Sequence, residues 1–163
     1  MMNKYYTGIG SRMVSLDVIL KIRKLAAILA KKGYIVRTGE AAGCDTAFSL
    51  GAIEACGTEA AIIYQAGIEV TKEAWKLVCS VHDKPKAARR YKSYLGRNPY
   101  QLLGTNLDNP SKFLICWTKD GKEIGGTRIN MRLAKKFKIP VFNLALDSVP
   151  DILIMIENIE EES

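Results

Sequence analysis

The chain has 163 residues, 48% of them hydrophobic, and 24 basic against 17 acidic side chains give it a net charge of +7. That length suits one domain with a sizeable core, and no apolar run approaches the roughly 18 residues of a membrane span. The opening MMNKYYTGIG is polar and then strand-like with no apolar h-region, so no secretory signal is expected, and a cytoplasmic protein is.

The positive charge suits an anionic partner, whether nucleotide, nucleic acid or acidic protein. Cysteines 44, 56, 79 and 116 show no C-x-x-C spacing, and His82 is the one histidine available to join them. Neither a zinc site nor a disulfide framework is expected, and no metal or cofactor. Free cysteines pack as small hydrophobes, which sets the bland reading of Cys44 against a redox one.

In chain order, YYTGI (5–9) reads as a short strand ending in glycine. A helix over 15–32 follows, with Ser15 as cap and Ile19, Ile22, Ala26 and Leu29 on one face. YIVRT (34–38) is a second strand, Asp45 to Cys56 a helix, and TEAAIIY (58–64) a third strand. Residues 71–83 form a helix with Ala74, Leu77, Val78 and Val81 on one side. The stretch 84–111, with Pro85, Pro99 and Pro110, reads as an irregular insertion of short helix and loop.

KFLICW (112–117) is a near-continuous apolar run, the pattern of a strand covered on both faces. A helix over 127–138 turns Ile129, Leu133 and Phe137 inward and Arg128, Arg132, Lys135 and Lys136 outward. IPVFNL (139–144) is the fifth strand, and Ser148, Pro150 and Asp151 open a last helix through about Ile159. This alternation predicts an α/β fold: a Rossmann-like, doubly wound, mostly parallel sheet of five or six strands with helices on both faces, in one domain over 1–163. Such sheets bind ligands outside the carboxyl ends of their strands, so the loops after the strands are the candidate site.

Three such loops carry glycine. The first offers Gly8, Gly10, Ser11 and Arg12, whose guanidinium suits phosphate or carboxylate. It lacks the third glycine of a dinucleotide fingerprint, and Arg37-Thr38 stand where an acidic residue would end the second strand, which disfavours an NAD site. The second, TGEAAGCD, offers Thr38, Gly39, Ala41 and Gly43 as a bare backbone at a helix start. Asp45 there is either the helix N-cap or an acceptor for a ribose hydroxyl.

The third loop offers Thr118, Gly125, Gly126 and Thr127, again leading into a helix, and Trp117 is either a base-stacking surface or core packing. Together the loops favour a phosphate-containing ligand. The basic segments 84–97 and 128–138 add Arg89, Arg90, Lys92, Arg128 and Arg132 as nucleic-acid candidates, interleaved with Tyr91 and Tyr94.

GSR after the first strand, TGEAAGCDTAFSLGAI after the second and GGT…RLAKKFKIPVFNL near the end resemble the SLOG superfamily. That group holds the Rossmann-like domain of DNA-processing protein A and, more distantly, the Lonely-Guy nucleotide hydrolases. NPYQLLGTNLDNPSKFLICWTKDGKEIGGT is similar to the stand-alone DNA-processing protein A-like proteins of phages and bacteria. The resemblance spans nearly the whole chain and implies a Rossmann-like nucleotide-binding fold, with an anion site over Gly10 to Arg12, Gly39 to Asp45 and Gly125 to Thr127. It also implies pairing through helices, hence a homodimer. Thr38, Glu40 and Ala42 stand where DNA-processing protein A usually has serine, a second glycine and a basic residue.

Three functions follow. The first is binding of a nucleotide or nucleotide-derived small molecule, for sensing or sequestration. The second is single-stranded DNA binding. The third is hydrolysis or transfer at an N-glycosidic bond, with Glu40 or Asp45 as the acting carboxylate.

Overall fold

The computed structural model describes residues 4–163; the leader reading rests in part on residues 1–3, which lie outside the described residues. The elements run β1 (Tyr5–Gly10), α1 (Leu16–Lys31), β2 (Ile35–Thr38), α2 (Cys44–Cys56), β3 (Ala61–Ile63) and α3 (Lys72–Val81). Three short helices follow, α4 (Pro85–Ala88), α5 (Lys92–Leu95) and α6 (Asn98–Leu103). The chain closes with β4 (Leu114–Trp117), α7 (Thr127–Lys136), β5 (Val141–Asn143) and α8 (Val149–Glu161).

Five parallel strands lie in the order β3-β2-β1-β4-β5. Each strand of a parallel sheet needs a crossover, and the predicted helices supply them. The order reverses between β1 and β4, which pair from Thr7↔Leu114 to Gly10↔Trp117. That switch point leaves a crevice at the carboxyl ends of the two strands.

Strand side chains alternate between the two faces. Tyr6, Phe113 and Ile115 pack with α1, α2 and α8 around Leu25, Phe48 and Ile156. Ile9, Leu114 and Cys116 pack on the other side with Val78 of α3, Leu102 of α6 and Leu133 of α7. The caps act as their sequence signals suggest: Ser15 Oγ accepts from Val18 N at 3.3 Å and Ser148 Oγ from Asp151 N at 3.2 Å. No helix among the described residues is long and apolar enough to cross a membrane.

Two expectations need correction. The third strand is shorter than 58–64, because Thr58–Ala60 coil into a single 3₁₀ turn. Phe137 does not face inward: α7 ends at Lys136, and Phe137, as its C-cap, is 39% exposed. Over the stretch 84–111 the chain forms three short helices, and every residue of α6 is buried. Pro85 and Pro99 sit in first turns, where the missing N–H has no helical partner to lose, so both prolines start helices.

Candidate functional site

A cleft of about 370 Å³ opens at the switch point. Gly10, Ser11 and Arg12 of the first loop line it, with Ala41 and Asp45 of the second and Thr118, Gly125, Gly126 and Thr127 of the third. The three loops read from sequence thus meet at one edge. Ser11 stands between the other two, donating its N–H to Trp117 O at 3.0 Å and accepting Cys44 N–H on its carbonyl at 3.2 Å.

This bonding changes what the second loop does. Cys44 N–H is taken by Ser11 O, Thr46 N–H by Ala41 O at 3.3 Å and Ala47 N–H by Gly43 O at 3.0 Å. The start of α2 therefore spends most of its N–H groups on the fold rather than on a ligand. The Asp45 carboxyl lies beside the backbone N–H groups of Ala41 and Gly10, which favour its charged form, and so stands between the first two loops. Gly39 is bare because Asp45 Oδ2, Gln101 Nε2 and Arg97 Cζ would lie 2.5, 2.9 and 3.2 Å from a β-carbon there. The bare backbone is a packing surface, and the helix start that lines the cleft is that of α7, with Gly126 as N-cap and Thr127 as its first residue.

Asp45 is 5% exposed. Burial lifts its carboxyl from the usual range to about 6, against the pull of Arg97, the two backbone donors and Arg12. The folded chain holds this proton more tightly than the unfolded chain does. Asp45's contribution to stability is therefore complete below about pH 4 and is lost as pH rises through about 6, about 3 kcal/mol in all. Urea unfolding followed from about pH 4 to 7 is expected to show this decline, and Asp45→Asn to flatten it. An undiminished slope in the variant would assign the titration elsewhere.

Cys44 is fully buried, and burial with the nearby Asp45 pushes its thiol up to about 12, so no thiolate forms at neutral pH. Among the described residues no three His, Cys, Asp or Glu side chains gather to hold a metal.

Several candidates sit away from the lining. Gly8 lies within β1 against Phe48, Thr38 is buried at the end of β2, and Gly43 backs onto the carbonyls of Ser11 and Arg12. Glu40 turns outward, accepting Ala66 N–H at 2.9 Å and standing 3.9 Å from Arg97 Nη1. Trp117 packs against the main core rather than on the cleft. Arg132 is held by Glu123 Oε1 at 2.6 Å and Asp83 Oδ1 at 3.0 Å. Arg89 and Arg90 are exposed on the turn between α4 and α5, and Lys92 rests over the Trp75 ring at 5.6 Å.

Beside Tyr94, named from sequence among the basic residues of 84–97, sequence reasoning missed the rest of the wall built by the end of α5 and α6: Leu95, Arg97, Asn98 and Gln101. Arg97 is 7% exposed, with Nη1 3.4 Å from Tyr64 O. Asn130 Nδ2 donates to Asn98 Oδ1 at 3.2 Å and to Gln101 Oε1 at 3.0 Å, which leaves the Gln101 amide nitrogen toward Gly39 and Asp45. On the far wall Asn143 Nδ2 donates to Thr118 Oγ1 at 2.8 Å, leaving the threonine proton free to point elsewhere. The signal was present as RNPYQLL: Arg97 and Gln101 four apart on one helical face, opposite a run of apolar residues.

No family model and no curated protein matches the chain. Among solved structures it is similar to DNA processing protein A from Helicobacter pylori, a structure described for that protein's unique single-stranded DNA binding mode. The two are 20% identical with a TM-score of 0.55, over 86% of this chain and 65% of that one. The fold thus resembles that of the matched part of DNA processing protein A, and this chain spans 65% of the solved chain.

Proposed function

We propose that the protein binds single-stranded DNA, seating one nucleotide unit of the strand in the switch-point cleft. The observation that carries this is the convergence of Arg12, Arg97 and the amino end of α7 on one cleft of about 370 Å³, within the range of small-ligand sites. Phosphate oxygens suit Arg12 and the N–H groups of Gly125 to Thr127. The polar floor of Asp45, Gln101 and Thr118 suits the sugar or a base edge. The single-stranded DNA binding of the Helicobacter pylori protein favours a strand over a free nucleotide, as does the net charge of +7. With it we propose that the chain is a member of the SLOG superfamily.

A free nucleotide is the second reading, favoured by the burial of Asp45 beside Gln101, where a ribose hydroxyl finds both acceptor and donor. Of the two carboxylates weighed for glycosidic chemistry, only Asp45 lines the cleft.

Fluorescence anisotropy with labelled oligothymidylate tests the proposal. Log affinity is expected to fall linearly with log salt at a slope near about −2, as for about three neutralised phosphates on a single strand. Arg12→Ala is expected to cost about tenfold, one charge-assisted contact, and to flatten that slope. A flat salt response in the natural protein would remove the strand reading. Thymidine monophosphate binding as tightly as the oligomer would favour the free nucleotide.

A further inference from the structure

The cleft does not end at Tyr94. It runs into a second groove of about 490 Å³, and Arg12, Tyr94, Leu95, Gly125 and Gly126 line both. Beyond them this groove is walled by His82, Lys84 and Tyr91 on one side and Arg128 on the other, over a floor of Ala88 and Ile129. We propose that this groove is a second nucleic-acid subsite, in which the nucleotides next to the anchored one stack their bases on Tyr91 and Tyr94 while Lys84 and Arg128 hold their phosphates. The inference rests on the single-strand reading of the cleft and extends it to a path.

Three features support that occupant. Tyr91 and Tyr94 are 52% and 51% exposed, Tyr91 as the N-cap of α5 and Tyr94 within it, and both line the groove. Large aromatic rings left half in water are suited to bases, every one of which has a π-face. Arg90 lies over the Tyr91 ring at 5.4 Å and braces it.

The charge is also complementary. The acid beside the groove, Asp83, is already paired with Arg132 at 3.0 Å and Arg128 at 3.9 Å, which holds its carboxyl below the usual range. Lys84, Arg12 and the remaining positive field of Arg128 thus face a strand with no unpaired acid from the groove's own lining. Finally, the apolar floor and basic rim are continuous with the cleft, so a strand leaving the cleft enters this groove without crossing a barrier.

The test compares a thymidine dinucleotide, short enough for the cleft, with an oligothymidylate of about six nucleotides, near the lower site sizes of single-strand binders. The longer strand is expected to bind at least about tenfold tighter. Tyr91→Ala is expected to lose about five- to thirtyfold on the longer strand, with Tyr91→Phe retaining the affinity because stacking uses the ring and not the hydroxyl. A halogenated uracil placed second from the anchored end is expected to photocrosslink to the α4–α5 segment. If the dinucleotide binds, Arg12→Ala weakens it, and yet the longer strand gains nothing or Tyr91→Ala binds it normally, the groove proposal is overturned and the cleft reading stands. If the dinucleotide fails to bind while the longer strand binds through Tyr91, the groove is supported and the cleft reading is overturned.

Discussion

Gly43→Ala is expected to destabilise the fold by about 3 kcal/mol or more and to abolish binding in the cleft. Gly43 is the N-cap of α2 with φ 86° and ψ −120°, a conformation that L side chains rarely adopt. A β-carbon there would lie 2.6 Å from Arg12 O and 2.7 Å from Ser11 O, backbone atoms that cannot swing aside. The conformational strain alone is worth about 1–3 kcal/mol. Relieving the clash pushes the first loop off the second and breaks the bond from Cys44 N–H to Ser11 O.

Thermal unfolding reads the effect as a fall of about 6–12 °C for a chain of this size. Gly33→Ala is the control, because Gly33 has φ 90° but open space around it, so it carries only the backbone term. Equal losses in the two variants would show that the close approach of the loops contributes nothing.

The second large effect is expected at Arg97, the buried cation of the cleft. Its guanidinium lies 3.9 Å from Glu40 and 3.4 Å from Tyr64 O, and it draws the Asp45 carboxyl downward against burial. Arg97→Met leaves Asp45 buried with less compensation, a loss of about 1–3 kcal/mol, the cost of a buried polar group stripped of a favourable neighbour. The Asp45 proton is then held more tightly still, so the fall in stability with pH moves above about 6.

Single-strand affinity is expected to drop at least thirtyfold, about 2 kcal/mol, because the cleft keeps its acid and loses its inner cation. Arg97→Lys restores charge without the planar fork and is expected to recover only part of the binding. Binding isotherms and pH-dependent unfolding of the two variants measure this. An Arg97→Met protein with native affinity would place the phosphate contacts wholly on Arg12 and α7.

These two positions differ in how they could be read. Gly43 stood in a glycine-rich stretch between a strand and a helix, which marked the loop but not its task. The stretch was read as a cradle for an anion. The structure makes it a surface on which the first loop packs, Gly43 against the carbonyls of Ser11 and Arg12. A bare backbone permits either use, and the neighbour that fills the space decides which. Glu40 follows the same pattern: beside a phosphate it would be out of place, but its carboxylate reaches Ala66 N and the flank of Arg97.

Arg97, Asn98 and Gln101 were hidden by a different cause. Their segment is short and rich in proline, and a six-residue helix is too brief for periodicity to stand out. α6 is helical because the sheet face, α3 and α7 surround it. That environment comes from distant parts of the chain.

The alternation of strand and helix is legible in the order of residues alone, and with it the parallel sheet and the edge at which the loops gather. Hydrophobic period, caps and glycine punctuation are local, and parallel crossovers leave few topologies open. Which polar groups face the cleft and which are spent on the fold is settled by long-range packing. The burial of Asp45, the inward reach of Arg97, the outward turn of Glu40 and the docking of Trp117 into the core each depend on residues far away in sequence. A side chain's role at such an edge is set by the partners that remove it from water, and no local pattern encodes those partners.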